Sequence, residues 1–313
     1  MAELSVRVGG LRFRNPFLLA SGVWGESGES LLGAWNAGAG GVVTKSIGGE
    51  PRAGYPNPTV EQYGEWGFLN AMGLPNPGIA EYPREIAVAL RGGVSVVGSV
   101  FGHDAPEFAR LAREMEATGV MAVELNLSCP HAEGLGSEVG QDPSLVREVT
   151  RAVKEAVKVP IWVKITPNVA EPEAVAAAAE AGGADAITAI NTVRALAIDV
   201  ELRRPVLAHG LGGLSGPAIK PVGLACVWKV FERVHIPIVG VGGIQSGRDA
   251  LEYLMAGASA LQVGTAVAFE GVAVFGKLAR ELDGLLDELG FPDPAAAVGV
   301  AHGRRQSLNP GSG

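Results

Sequence analysis

The chain has 313 residues, a formal charge of -8 at neutral pH, and 47% hydrophobic against 19% charged residues. That length suits one large barrel or two ordinary domains, and the composition carries a sizeable core rather than global disorder. The acidic balance excludes nucleic acid as the main partner, since phosphate backbones are bound by a basic field, but leaves room for a small anion held by local cations. Only two cysteines occur, Cys129 and Cys226, without the spacing of a disulfide framework or a zinc site. No apolar run is long enough to span a membrane, and Met1–Leu4 lacks the basic-then-apolar layout of a signal peptide. The expectation is a cytoplasmic protein with no metal and no membrane or nucleic-acid partner.

The opening stretch VRVGGLRFRNP predicts a hairpin around Gly9 and Gly10, placed to close the floor of whatever follows. Short apolar runs rich in Val and Ile then alternate with amphipathic stretches. The runs are Phe17–Ala20, Gly41–Ile47, Val94–Phe101, Ala122–Cys129, Pro160–Thr166, Ala186–Thr192, Ile236–Gly243 and Ala260–Val267. Continuous apolar runs fit parallel strands covered on both faces. Helical spacing marks Ala105–Thr118, Pro143–Val157, Glu171–Ala181, Pro221–Val234, Gly247–Ala256 and Val272–Leu289. Gly119, Gly182, Gly183 and Gly257 stand where helices end before the next strand. Eight strand–helix units in one chain predict an α/β fold of the (β/α)8 TIM-barrel type, a single domain over 1–313, with a doubly wound sheet as the alternative. Glu50–Asn76, rich in Gly, Pro and aromatic residues, reads as an inserted loop over the active face, and 303–313 as a mobile tail.

Barrels place their sites at the C-terminal ends of the strands, so polar residues there are informative. Lys45 and Lys164 interrupt two apolar strands, and a buried ammonium is costly without an anion. One such lysine reads equally well as a structural ion pair; two on different strands favour an anionic ligand. In AVELNLSCPH, Val123, Leu125 and Leu127 face the helices while Glu124, Asn126 and Ser128 face the barrel axis. Cys129 follows at the strand end, held extended by Pro130. A free cysteine is often a small core residue, and Cys226, in an apolar helix, reads that way. Cys129, beside the inward polar row, reads as functional. Asn191 and Thr192 end the sixth run. Gly242 and Gly243 end the seventh run, and Gly264 with Thr265 lies near the end of the eighth, where barrels commonly cradle phosphate on backbone N–H groups.

The stretches ASG (20–22), TKS (44–46), NAMGLPNPG (70–78), ELNLSCP (124–130), VKITPNV (163–169), INT (190–192), GGLSGPAIKP (212–221), GVGGI (240–244) and GASALQVGTA (257–266) resemble the class 1 dihydroorotate dehydrogenases, closest to class 1B. The resemblance implies FMN-dependent oxidation of dihydroorotate to orotate in pyrimidine synthesis. FMN contacts then fall on Ser21, Lys45, Ser46, Ser99, Asn126, Lys164 and Ile190. The phosphate side falls on Gly216, Gly242, Gly243, Gly264 and Thr265. Substrate contacts fall on Lys45, Asn70, Ala71, Met72, Gly73, Leu74, Asn126, His131, Asn191 and Thr192. Cys129 is implied as the base at C5, and Lys164 as the cation for charge on the reduced flavin. The loop 131–141 is implied as a lid. The chain departs from the family where His131 replaces a common Asn and where Ser99 does the same. The resemblance also implies a homodimer and a second subunit with FAD and an iron–sulfur cluster passing electrons to NAD; class 1A relatives use fumarate. Shared motifs leave a dihydropyrimidine dehydrogenase-like reduction of uracil or thymine as the alternative. An RNA-modifying flavin barrel fits the acidic charge poorly, and a phosphate-binding barrel without redox chemistry is the remaining reading.

Overall fold

The computed structural model describes residues 3–22, 24–127 and 139–303. Sixteen strands appear among them. The first two, β1 (Val6–Val8) and β2 (Leu11–Phe13), form the expected hairpin, with Gly9 and Gly10 in the left-handed region at φ +55° and +83°. The barrel is built from β3 (Phe17–Leu19), β4 (Gly41–Val43), β7 (Val96–Val100), β8 (Ala122–Asn126), β9 (Ile161–Ile165), β10 (Ala186–Ala189), β15 (Ile238–Val241) and β16 (Ala260–Val263). These eight close in chain order, every neighbouring pair parallel, with β16 beside β3. Each falls within one of the eight predicted runs, and the doubly wound alternative is set aside.

The six predicted helices are present within one or two residues at each end, as Ala105–Glu116, Pro143–Ala156, Pro172–Ala181, Lys220–Arg233, Gly247–Met255 and Val274–Leu289. Helices at Gly28–Asn36, Pro83–Arg91, Thr265–Glu270 and Pro294–Ala297 were not anticipated. The first starts on a capping box in which Ser27 and Ser30 satisfy each other's backbone N–H groups. It also packs close: a Cβ on Gly28 would lie 2.4 Å from the carbonyl of Glu85, so only glycine allows the two early helices to meet.

The main core lies between strands and helices, and it takes the outward residues Val123, Leu125 and Leu127, as alternation predicts. A second cluster seals the lower end of the barrel. There Val6, Val8 and Phe13 of the hairpin pack on Leu18, Val43, Val97, Ala122, Trp162, Ala186, Val239 and Ala260. Trp162 is fully buried and meets Phe13 edge-on at 5.8 Å. The hairpin is therefore the floor, and the mouth is left as the open end.

Glu50–Asn76 is not a plain loop, which corrects the sequence expectation. It contains β5 (Val60–Tyr63) and β6 (Gly67–Asn70), paired with each other and, through β6, with β14 (Gly212–Ser215) and β11 (Val193–Ala195). This four-stranded antiparallel sheet stands over the mouth, and a short ladder of β12 (Ile198–Asp199) and β13 (Arg204–Pro205) extends from it. Its central pairing, β6 with β14, joins segments distant in sequence, so only the β5–β6 hairpin is local. Among the described residues no helix is long and apolar enough to cross a membrane. The expected tail beyond Gly303 lies outside the described residues.

Candidate active site

Inward residues change character from floor to mouth. Above the apolar floor come Ser99, Glu124, Lys164, Thr188 and Gln262, all buried, and then a cavity of about 380 Å³ between the strand ends and the four-stranded sheet. Strand register brings these side chains level: Ser99 lies beside Glu124, Asn126 beside Lys164, and Lys164 beside Thr188. Adjacent strands point residues in register to the same face, so an inward polar row on one strand meets an inward polar row on the next.

One wall of the cavity is a polar hub. Ser46 Oγ lies 3.2 Å from Ser21 Oγ, 2.9 Å from Ser99 Oγ and 3.0 Å from Asn126 Nδ2, which donates to it. Asn191 Nδ2 donates to Asn126 Oδ1 at 3.3 Å. Lys45, 7% exposed, forms an ion pair with Glu26 at the rim. Lys164, 5% exposed, reaches only Gln262 Oε1 among the described residues, at 3.5 Å, the outer limit of a hydrogen bond. Burial pushes its ammonium below the usual lysine range, and the charge of Glu124 opposes that shift. A lysine held this way keeps donors for a ligand in the cavity.

The opposite end is lined by Gly216, Gly242, Gly243, Gly264 and Thr265. Gly216 and Gly243 take φ of +101° and +72°, and a Cβ on Gly243 would stand 2.9 Å from the carbonyl of Gly216. Two side chains pin this turn: Tyr253 Oη donates to the Gly242 carbonyl at 2.7 Å, and Asp249 accepts from the backbone of Gln245 and Ser246. Thr265 Oγ1 donates to Ser215 Oγ at 2.9 Å, tying the eighth strand's end to the upper sheet. Bare backbone, fixed in place and next to a hydroxyl pair, suits an anionic oxygen cluster. The upper sheet closes the cavity with Val60, Phe68 and Asn70, and the segment that follows β6 adds Met72, Gly73 and Leu74, the last held at φ +57°.

Most residues singled out in the sequence therefore converge. Ser21, Lys45, Ser46, Asn126, Lys164, Ile190, Gly216, Gly242, Gly243, Gly264 and Thr265 line the cavity, as do Asn70, Met72, Gly73, Leu74, Asn191 and Thr192. Two do not. Ser99 is sealed behind Ser46, with its own N–H bonded to Thr44 Oγ1, and Ala71 is buried in the sheet's small core with Leu69 and Leu207. Cys129, His131 and most of the expected lid, 131–138, lie outside the described residues. Gln262 lines the cavity and was missed, although it interrupts the apolar strand ALQV as the two lysines interrupt theirs.

Fold and site together define a (β/α)8 barrel with a cationic, amide-rich mouth facing a glycine cradle beyond the last two strands, an arrangement that suits an anionic ligand. A sequence model described as dihydroorotate dehydrogenase matches residues 3–286. The chain is 48% identical over 304 residues to a protein of Methanocaldococcus jannaschii, covering 96% of this chain and 98% of that one. It is 48% identical over 301 residues to a Thermoplasma acidophilum protein, covering 96% and 99%, and 49% identical over 298 residues to one from Pyrococcus horikoshii, covering 95% and 97%. All three are named dihydroorotate dehydrogenase B (NAD(+)), catalytic subunit. The chain belongs to the dihydroorotate dehydrogenase family of oxidoreductases. Family and relatives support dihydroorotate oxidation in pyrimidine biosynthesis, and they lend nothing to uracil or thymine reduction. The family is flavin-dependent in general, and the donor set fits a flavin: two cations, amides that both donate and accept, and a side-chain-free cradle at one end.

Proposed function

We propose that the chain is the FMN-binding catalytic subunit of a dihydroorotate dehydrogenase that passes electrons to NAD through a second subunit carrying FAD and an iron–sulfur cluster. The observation that carries this reading is the single cavity in which Lys45, Asn126 and Lys164 face Gly216, Gly243 and Thr265. The glycines and Thr265 would hold the phosphate, and Ser21, Ser46, Asn126, Lys164 and Ile190 the ring system. A homodimer in the cytoplasm is part of the same proposal.

Dihydroorotate presents a carboxylate and a ring with both N–H and C=O groups. Asn70, Asn126 and Asn191 each offer a donor and an acceptor, and Thr192 a hydroxyl, which matches that mixed edge. Lys45 supplies the charge for the carboxylate. Phe68, Met72 and Leu74 exclude water from the reacting ring. Cys129, as thiolate, would take the proton from C5, and His131 would donate to the substrate. When bound, FMN supplies the acceptor for the hydride leaving C6. Lys164 would hold positive charge against the ring system.

Two measurements test this. Cofactor released from the purified protein is identified by mass, with FMN expected and FAD alone contradicting the reading. Cys129→Ala is expected to retain the flavin and lose most turnover, with Cys129→Ser impaired but active; unchanged turnover in Cys129→Ala removes the thiol from the mechanism. An acceptor screen with and without the partner subunit then separates NAD from fumarate.

A further inference from the structure

Glu124 is fully buried on β8, below the cavity rather than in its lining. Two donors converge on one of its oxygens: Thr188 Oγ1 at 2.9 Å and Gln262 Nε2 at 2.6 Å. The other oxygen, Oε1, has no hydrogen-bond partner among the described residues. A carboxylate only accepts. Gln262 must therefore turn its NH2 to Glu124, which leaves its carbonyl facing the other way, and that is where Lys164 Nζ lies. The buried charged side chains among the described residues are Lys45, Glu124 and Lys164, and Lys45 is engaged by Glu26. The neighbours that meet Lys164 from the other strands, Asn126, Thr188 and Gln262, are neutral. Glu124 and Lys164 are thus the two opposite charges sealed in the barrel, joined through one amide. Either charge alone would be expensive there.

We propose that Glu124 is a positioning residue of the site: it fixes the orientation of the Gln262 amide and supplies the countercharge that keeps Lys164 an ammonium directed at the cavity. The chain Glu124–Gln262–Lys164 belongs to the protein alone; only its consequence for flavin rests on the FMN reading. Mutation of Glu124 should therefore act on Lys164 whether or not flavin is present.

The test follows the Lys164 side chain by NMR in lysine-labelled full-length protein, with the signal assigned by its loss in Lys164→Met, across a pH series with and without FMN. Glu124→Gln is expected to lower the pH at which Lys164 titrates by about 1 unit, the low end of the effect of a nearby opposite charge, because an amide stands between the two. In the flavin-bound protein, the reduction potential should break with pH at that same lower value. Superimposable titrations of wild type and Glu124→Gln overturn the proposal. A shifted Lys164 in protein that binds no FMN supports the role of Glu124 and refutes the FMN reading instead. Gln262→Met keeps the charge and deletes the bridge. It should weaken FMN about tenfold, the worth of one hydrogen bond to a charged group, while moving the Lys164 titration less. If Glu124→Gln does not fold, this second variant decides: unchanged FMN affinity and unchanged titration overturn the bridge.

Discussion

Gly243→Ala probes the cradle with a single methyl group. Gly243 sits at φ +72°, where a non-glycine residue costs about 1–2 kcal/mol. Its new Cβ would lie 2.8 Å from Lys220 Cβ, and 2.9 Å from both the Lys220 nitrogen and the Gly216 carbonyl. Two of these three are backbone atoms that cannot rotate away, so the turn 242–244 must move from the Gly216 loop at an overpacking cost of about 1–3 kcal/mol. That movement opens the cradle. Losing one hydrogen bond to a charged phosphate is worth about 1.5–3 kcal/mol, which is about a ten- to hundredfold rise in Kd. Fluorescence titration of flavin-free protein with FMN measures it, and riboflavin, which lacks the phosphate, is the control. The expected outcome is weaker FMN binding with riboflavin nearly unchanged. Equal loss for both ligands, or an FMN Kd within about twofold of wild type, a change smaller than any single hydrogen bond to charge, refutes a phosphate at this turn.

Trp162→Ala removes the largest side chain of the floor and should cost about 3–5 kcal/mol in urea unfolding; a loss below about 1 kcal/mol means the hairpin does not depend on it. Glu26→Gln frees Lys45 from its rim partner. Because Glu26 is largely exposed, stability should change by less than about 1 kcal/mol, while KM for dihydroorotate falls; a raised KM shows that Glu26 helps rather than competes. Burial pushes the Cys226 thiol up to about 11. The stability this contributes is full below the unfolded thiol's pKa and is lost as pH rises through about 11. Iodoacetamide at pH 8 should therefore spare Cys226 in folded protein by mass spectrometry, and ready alkylation contradicts its burial.

The barrel was legible because its strands are covered on both faces and so appear as uninterrupted apolar runs, each broken only where a side chain enters the interior. Lys45, Lys164 and Asn126 were found by that interruption, and Gln262 carries the same mark. Depth was not legible: alternation puts Ser99 on the inner face but says nothing of Ser46 standing over it. Nor was the upper sheet. Asn70 Nδ2 donates to the Gly213 carbonyl across 143 residues, and strands of such composition gain their ladder only from tertiary contact. The helix Gly28–Asn36 escaped because its signals are a serine capping box and a packing glycine rather than a strong apolar stripe.

The central claim is that dihydroorotate delivers its electrons to a flavin held at this mouth. Anaerobic mixing of FMN-loaded protein with dihydroorotate, followed by the flavin's visible absorbance, tests it directly. Rapid bleaching by dihydroorotate, and none by dihydrouracil, is the predicted result. Bleaching by dihydrouracil alone, or by neither, would contradict it.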